Sequence, residues 1–198
     1  MNKTFRISEV NTEIFSRMDG KSFKVGCPVS PSELRHLSIL HRNLSGDILE
    51  GELVCNVKIA TSLIKIFERL YEASYPIERV RLVDEYDADD EMSMRDNNSS
   101  CFNFRRVSFT DRISLHGYGM AVDINPLYNP YVKTVDGKEV VAPETAVDFV
   151  SREKKFPYKI ERSDLCCRLF AEYGFSWGGD WDDEKDYQHF FVEEGIER

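Results

Sequence analysis

Two stretches of this chain combine residue types that hold divalent metals and move protons. The first is Ser114-Leu115-His116-Gly117-Tyr118-Gly119-Met120-Ala121-Val122-Asp123. The second runs from Trp177-Gly178-Gly179-Asp180-Trp181 to Asp186-Tyr187-Gln188-His189-Phe190. Two of the chain's four histidines lie in them. Read as a strand after Gly119, the first stretch sends Met120, Val122 and Ile124 to one face and Ala121 and Asp123 to the other. An unpaired carboxylate among hydrophobes is costly, and a cation removes that cost. His116, just before the strand, and His189, on a final strand with Phe191 alongside, can converge on the same point. Two imidazoles, one carboxylate and an open fourth position make a catalytic zinc site. Zinc lowers the pKa of bound water to about 7 and polarises a carbonyl. Asp186, three residues before His189, is placed to act as general base and then as acid to a leaving amine.

These motifs need elements to position them. Residues 58–73 carry Ile59, Leu63, Ile66, Phe67 and Leu70 on one helical face. A second helix starts at Ser163, carries Leu165, Leu169, Phe170 and Tyr173, and stops at Gly174. Ser30-Pro31-Ser32-Glu33 is a capping-box pattern and predicts a helix with Leu34, Leu37, Leu40 and His41 at helical spacing. Strands are expected over residues 49–57, 80–82, 102–107, 119–125 and 189–192. The acidic stretch 84–100 reads as a long, solvated loop. Residues 126–162 read mostly as loop, with a hairpin at Val135-Asp136-Gly137-Lys138. This mixture indicates an α+β fold: a small antiparallel sheet with flanking helices and the zinc site on the sheet. Residues 1–55 are expected to be an N-terminal extension packed on the core, and 56–198 the metal-binding domain.

Composition narrows the function classes. The chain has 198 residues, 41% hydrophobic and 31% charged, enough for one buried core. Its net charge of −9 argues against a nucleic-acid partner, which requires a basic patch. Charges interrupt every apolar stretch, so no membrane span is expected. The opening MNKTFRISEV has no apolar core of a signal peptide. Five cysteines without regular spacing make a poor disulfide framework, and they read as small buried hydrophobes. A Cys27–Cys55 pair remains open. His36 and His41 read as structural or surface residues.

Ser114-x-His116-x-x-Gly119-x-Ala121-x-Asp123, then Gly174-Phe175-x-Trp177-Gly178-Gly179 and Asp186-x-x-His189-Phe190, resembles the VanY-type D-alanyl-D-alanine carboxypeptidases. These belong to the LAS zinc metallopeptidases, a group that includes L-alanyl-D-glutamate endopeptidases. The resemblance covers roughly residues 59–192. It implies a LAS or hedgehog/DD-peptidase-like fold, Zn2+ held by His116, Asp123 and His189, and Asp186 as the catalytic carboxylate. It also implies an arginine on an upstream strand. Phe102-Asn103-Phe104-Arg105 resembles that element, making Arg105 the residue that polarises the scissile carbonyl or binds a substrate carboxylate, with Arg106 as its rival.

Ser114, Tyr118, Trp177 and Trp181 are candidate substrate contacts. The expected substrate is a peptidoglycan stem peptide or another D-amino-acid peptide, cut as a carboxypeptidase or an L,D-endopeptidase would cut it. The family acts in the cell envelope or outside the cell. A non-catalytic cell-wall peptide-binding module that keeps fold and metal is the alternative. A zinc-stabilised structural domain is a third reading, and it predicts unfolding on chelation.

Overall fold

The computed structural model describes residues 5–107 and 110–193. Strands β1 (Arg6–Glu9), β2 (Leu34–Arg42) and β3 (Ile48–Asn56) form an antiparallel sheet in that order, with helix α1 (Thr12–Met18) between the first two. Both faces of the β2–β3 ladder carry buried side chains. Leu34 and Val54 pack with Ile14 and Met18 of α1. Leu37, Ile39, Leu53 and Cys55 face the main core.

The helix expected after Ser30 is therefore a strand. The capping box does form, but it closes only the single 3-10 turn Pro31–Glu33. Beyond it, Leu37, Ile39 and His41 are buried at a spacing of two, and residues 34–42 pair with β3 from Leu34↔Asn56 to Arg42↔Ile48. A nine-residue ladder with an apolar face outweighs a local cap. His36 reaches Glu52 at 2.9 Å, and His41 Nδ1 lies 2.8 Å from the Ile77 carbonyl, so both histidines are structural.

Helix α2 (Val57–Glu72) comes at once after β3, its first turn capped by the Asn56 side chain. Its predicted apolar face is buried, with Ala60 added to it. Each fully buried aliphatic or phenyl side chain contributes about 1.5–3 kcal/mol. Strand β4 (Arg79–Val80) comes next.

The acidic stretch is not a long loop. It holds a 3-10 turn (Val83–Tyr86), helix α3 (Asp90–Arg95) and strand β5 (Asn98–Ser99), which pairs parallel with β4. Its polar side chains serve the backbone. Asp89 accepts from Met92 N at 2.9 Å, buried Asp84 accepts from Ser22 N at 3.0 Å, and Asn98 bonds both Arg81 N and Arg81 O. Over residues 102–107 only an isolated Arg106↔Ile113 bridge stands where a strand was expected. Phe102, Asn103 and Phe104 instead donate to Val54, His116 and Ser22.

Two further three-stranded antiparallel sheets complete the fold. One has the order β6 (Ala121–Asp123), β11 (His189–Phe191), β9 (Ser176–Trp177); the other β10 (Glu184–Asp186), β7 (Tyr131–Val135), β8 (Lys138–Ala142). The β7–β8 hairpin turns on Asp136-Gly137, both at positive φ (50° and 76°), as a two-residue turn requires. Helix α4 (Leu165–Glu172) is capped by Asp164 and ends before Gly174 at φ 85°. One core joins α2, α4, β2, β3, β6 and β11, with Phe170 stacked on Phe190 at 4.1 Å. The architecture is thus mixed α and β, with small antiparallel sheets and a few helices. All five cysteines are free thiols and Cys27 does not pair with Cys55. Among the described residues no helix is long and apolar enough to cross a membrane.

Candidate metal centre

His116 sits in the 3-10 turn Leu115–Tyr118, fixed at both ends. Ser114 Oγ accepts from His116 N at 3.3 Å. Gly119 closes the turn at φ 66°, and a Cβ there would lie 2.7 Å from Asn56 N. The Gly119 carbonyl accepts from that same Asn56 N at 2.8 Å, tying the turn to the start of α2. His116 Nδ1 is 2.6 Å from the Cys101 carbonyl. A carbonyl only accepts, so Nδ1 carries the proton and neutral Nε2 presents a lone pair.

Asp123 and His189 stand opposite each other on β6 and β11. On its other side Asp123 exchanges backbone hydrogen bonds with Ser100. His116 Nε2 lies 3.1 Å from Asp123 Oδ2, His189 Nδ1 lies 2.9 Å from Asp123 Oδ1, and the two nitrogens are 3.2 Å apart. All three side chains are buried. Tetrahedral zinc with ligands at about 2.0–2.1 Å needs donors roughly 3.3 Å apart, so the residues fit such an ion. Burial alone would raise the Asp123 carboxyl, but the facing His116 and His189 hold it well below the ordinary carboxylate range. Burial pulls His116 down while Asp123 pushes it up further, leaving it raised. The cluster is thus a buried anion that two imidazoles enclose.

Asp186 ends β10 and reaches this centre because of a glycine. A Cβ on Gly178 would come within 2.7 Å of Asp186 O, 2.8 Å of Asp186 Cβ and 3.3 Å of His189 Cβ. Asp186 Oδ1 is buried without a hydrogen-bond partner. Burial, with Asp123 adding to it, pushes Asp186 up to about 7 against the pull of His189 and Arg105. Buried orphaned polar atoms are rare and mark places where a ligand or water belongs.

Arg105 is the second such case. Its Nη2 holds Asp90 at 2.8 Å, and its Nε is buried without a partner. Its charge acts on both His116 and Asp186. Arg106 is exposed and pairs with Asp111 at the surface. The two arginines thus stand in different surroundings, in a segment that is not a strand. Asp90, whose charge also reaches His116 and Asp186, escaped the sequence reading. Nothing in an acidic run identifies which member folds toward the centre. Cys101 escaped for another reason, since it contributes only a backbone carbonyl.

The expected substrate contacts divide. Trp181 lies beside the centre, its ring 5.7 Å from His189 and 5.6 Å from Phe191. Trp177 is a core residue. Its ring lies near-parallel to Phe190, its indole N–H donates to Tyr187 O at 2.9 Å, and it also lines a surface cavity together with Trp181 and Phe191. Tyr118 packs between the two hydrophobic clusters and Ser114 caps the turn that holds His116.

No solved structure matches the chain significantly. Residues 108–192, a segment that holds all three candidate ligands and Asp186, match the family model described as D-alanyl-D-alanine carboxypeptidase. The resemblance of this segment to the D-alanyl-D-alanine carboxypeptidases is thus shown, and it points to a peptidase.

Proposed function

We propose that the protein is a zinc-dependent peptidase acting on peptidoglycan stem peptides, as a D-Ala-D-Ala carboxypeptidase or an L,D-endopeptidase, on a LAS-type fold. The carrying observation is the spacing of three buried donors, 2.9–3.2 Å from one another, beside a carboxyl with an unpartnered oxygen. His116 Nε2, Asp123 and His189 Nδ1 would hold the ion. When bound, zinc supplies Lewis acidity, making water a competent nucleophile near neutral pH and polarising a carbonyl.

The protein's own groups do the rest. Asp186, pushed up to about 7, takes a proton from the attacking water and returns it to the departing amine. Arg105, held by Asp90, offers its guanidinium to the charge that develops on the carbonyl oxygen or to a substrate carboxylate. Asp90 is a positioning residue, since it acts through Arg105. Trp181 borders the centre and shields it from solvent on the His189 side. We assign residues 56–198 to the peptidase domain and 1–55 to an extension that shares its core.

Incubating the zinc-loaded protein with defined muropeptides, then reading the products by mass spectrometry, tests the proposal. Release of free D-alanine, or cleavage after L-alanine, is expected, with Asp186→Ala losing about 10²–10⁴-fold in rate while keeping its zinc. A wild-type protein that binds zinc and stem peptides yet cleaves none of them would instead be a binding module.

A further inference from the structure

Asp186 and His189 belong to different sheets. Asp186 ends β10 and His189 begins β11, so their relative placement depends on the two residues between them, Tyr187 and Gln188. Tyr187 is held at three points. Its N–H donates to the Pro130 carbonyl at 3.3 Å, and its carbonyl accepts from the Trp177 indole at 2.9 Å. The Arg152 guanidinium lies over its ring, 4.4 Å from the centroid.

Arg152 is a half-buried cation held by neutral groups. The Glu161 carboxylate, whose charge it feels, pairs with Lys159 instead. Burial pulls the guanidinium down to about 10. Its terminal nitrogens donate to Tyr128 O at 2.9 Å, Phe149 O at 3.3 Å, Asn129 Oδ1 at 2.9 Å and Ile160 O at 2.7 Å. A planar fork bonded through both nitrogens has a fixed orientation, which a flexible ammonium lacks.

These anchors lead back to the same joint. Tyr128 and Asn129 directly precede Pro130, whose carbonyl takes the Tyr187 N–H. The next residue, Tyr131, stands opposite Asp186 on β7. Arg152 therefore closes a ring of contacts around the passage from one sheet to the other.

We propose that Arg152 is a positioning residue: stacked on Tyr187, it fixes the joint between β10 and β11 and with it the placement of Asp186 relative to His189. It acts through the Tyr187 ring by a cation–aromatic contact. The Pro130 and Trp177 hydrogen bonds persist without it, so its loss loosens the joint and does not undo it. This inference rests on the peptidase reading, because Asp186 carries a proton only within that reading.

The test compares Arg152→Gln, Tyr187→Leu, the double variant and Tyr187→Phe, which keeps the ring. Melting temperature, zinc affinity by competition with a chromogenic chelator, and kcat and KM on a stem peptide are read on each folded protein. Both single variants are expected to lose about tenfold in kcat, with KM within about threefold of wild type. Zinc affinity is expected to fall about tenfold in both. The double variant should lose no more than the worse single one, because the two side chains form one contact. Tyr187→Phe should restore what Tyr187→Leu loses. A lowered melting temperature with wild-type kcat and zinc affinity would make Arg152 a structural clasp only and overturn the proposal, as would additive losses. If Arg152→Gln does not fold, the Tyr187→Leu and Tyr187→Phe pair decides. If the wild type cuts no peptide, the peptidase reading fails, while zinc affinity across the same variants still decides whether Arg152 sets the joint.

Discussion

His189 and Asp123 face each other across adjacent antiparallel strands, with Nδ1 and Oδ1 2.9 Å apart. The sheet register therefore fixes two of the three candidate ligands. Only His116 depends on a turn, and that turn is locked by Ser114, Gly119 and the Cys101 carbonyl. A site so framed should persist when its ion leaves.

Chelation is accordingly expected to leave the far-ultraviolet circular dichroism spectrum native. Restoring zinc at about 100 times its dissociation constant adds near 3 kcal/mol. For a chain of this length that corresponds to a rise in melting temperature of roughly 6–12 °C. Unfolding on chelation would favour a structural metal instead. His116→Ala should abolish zinc binding in equilibrium dialysis while the chain stays folded.

The two neighbouring arginines should separate cleanly. On the proposed mechanism Arg105→Ala is expected to cut kcat/KM by about 10²-fold or more, because the cation whose charge acts on His116 and Asp186 is lost. Arg106 pairs at the surface, and Arg106→Ala should change rate and stability by little, within about 0.5 kcal/mol. Steady-state kinetics on a stem peptide, with thermal melts alongside, would reveal a reversed ranking and so refute the assignment.

Gly178→Ala places a methyl group where Asp186 and His189 already sit. Overpacking of this kind costs about 1–3 kcal/mol. Zinc affinity should fall along with stability, because the His189 Cβ must retreat. Denaturant melts together with zinc titration check this, and a variant with native zinc affinity would show that the contact is not what aligns the site.

Acid should weaken the N-terminal sheet first. Burial would raise Glu52, but His36 and Arg17 outweigh it and hold the carboxyl at about 2, below its ordinary 4.5. A depressed folded-state pKa stabilises fully above pH 4.5 and loses that contribution as pH falls towards 2. After allowance for solvent screening at the partly exposed Arg17, about 2 kcal/mol is at stake. Urea melts of wild type and Glu52→Gln between pH 2 and 7 should differ most at neutral pH and converge in acid.

The site could be read in the sequence because its parts are local motifs with strict residue types. His116 and Asp123 lie seven residues apart, and Asp186 and His189 three. Alternation set Met120, Val122 and Ile124 against the core, and the α2 and α4 faces came from helical periodicity. The misread segments were those where local chemistry competes with distant partners. Ser30–Glu33 does cap a turn, yet β3 claims residues 34–42 as its partner strand. The acidic stretch folds because Asp84, Asp89 and Asn98 find backbone groups to bond, which composition cannot foretell.

The sequence by itself determined which atoms can bind a metal, and it nominated Asp186 as a proton carrier. Only the tertiary structure decided that the donors sit 2.9–3.2 Å apart, that Asp90 holds Arg105, and that Trp177 is core while Trp181 borders the centre. The reason is physical. Residue type and spacing fix what a side chain can do, but burial and proximity are properties of segments far apart in the chain, set by strand register and by close contacts such as those of Gly178 and Gly119.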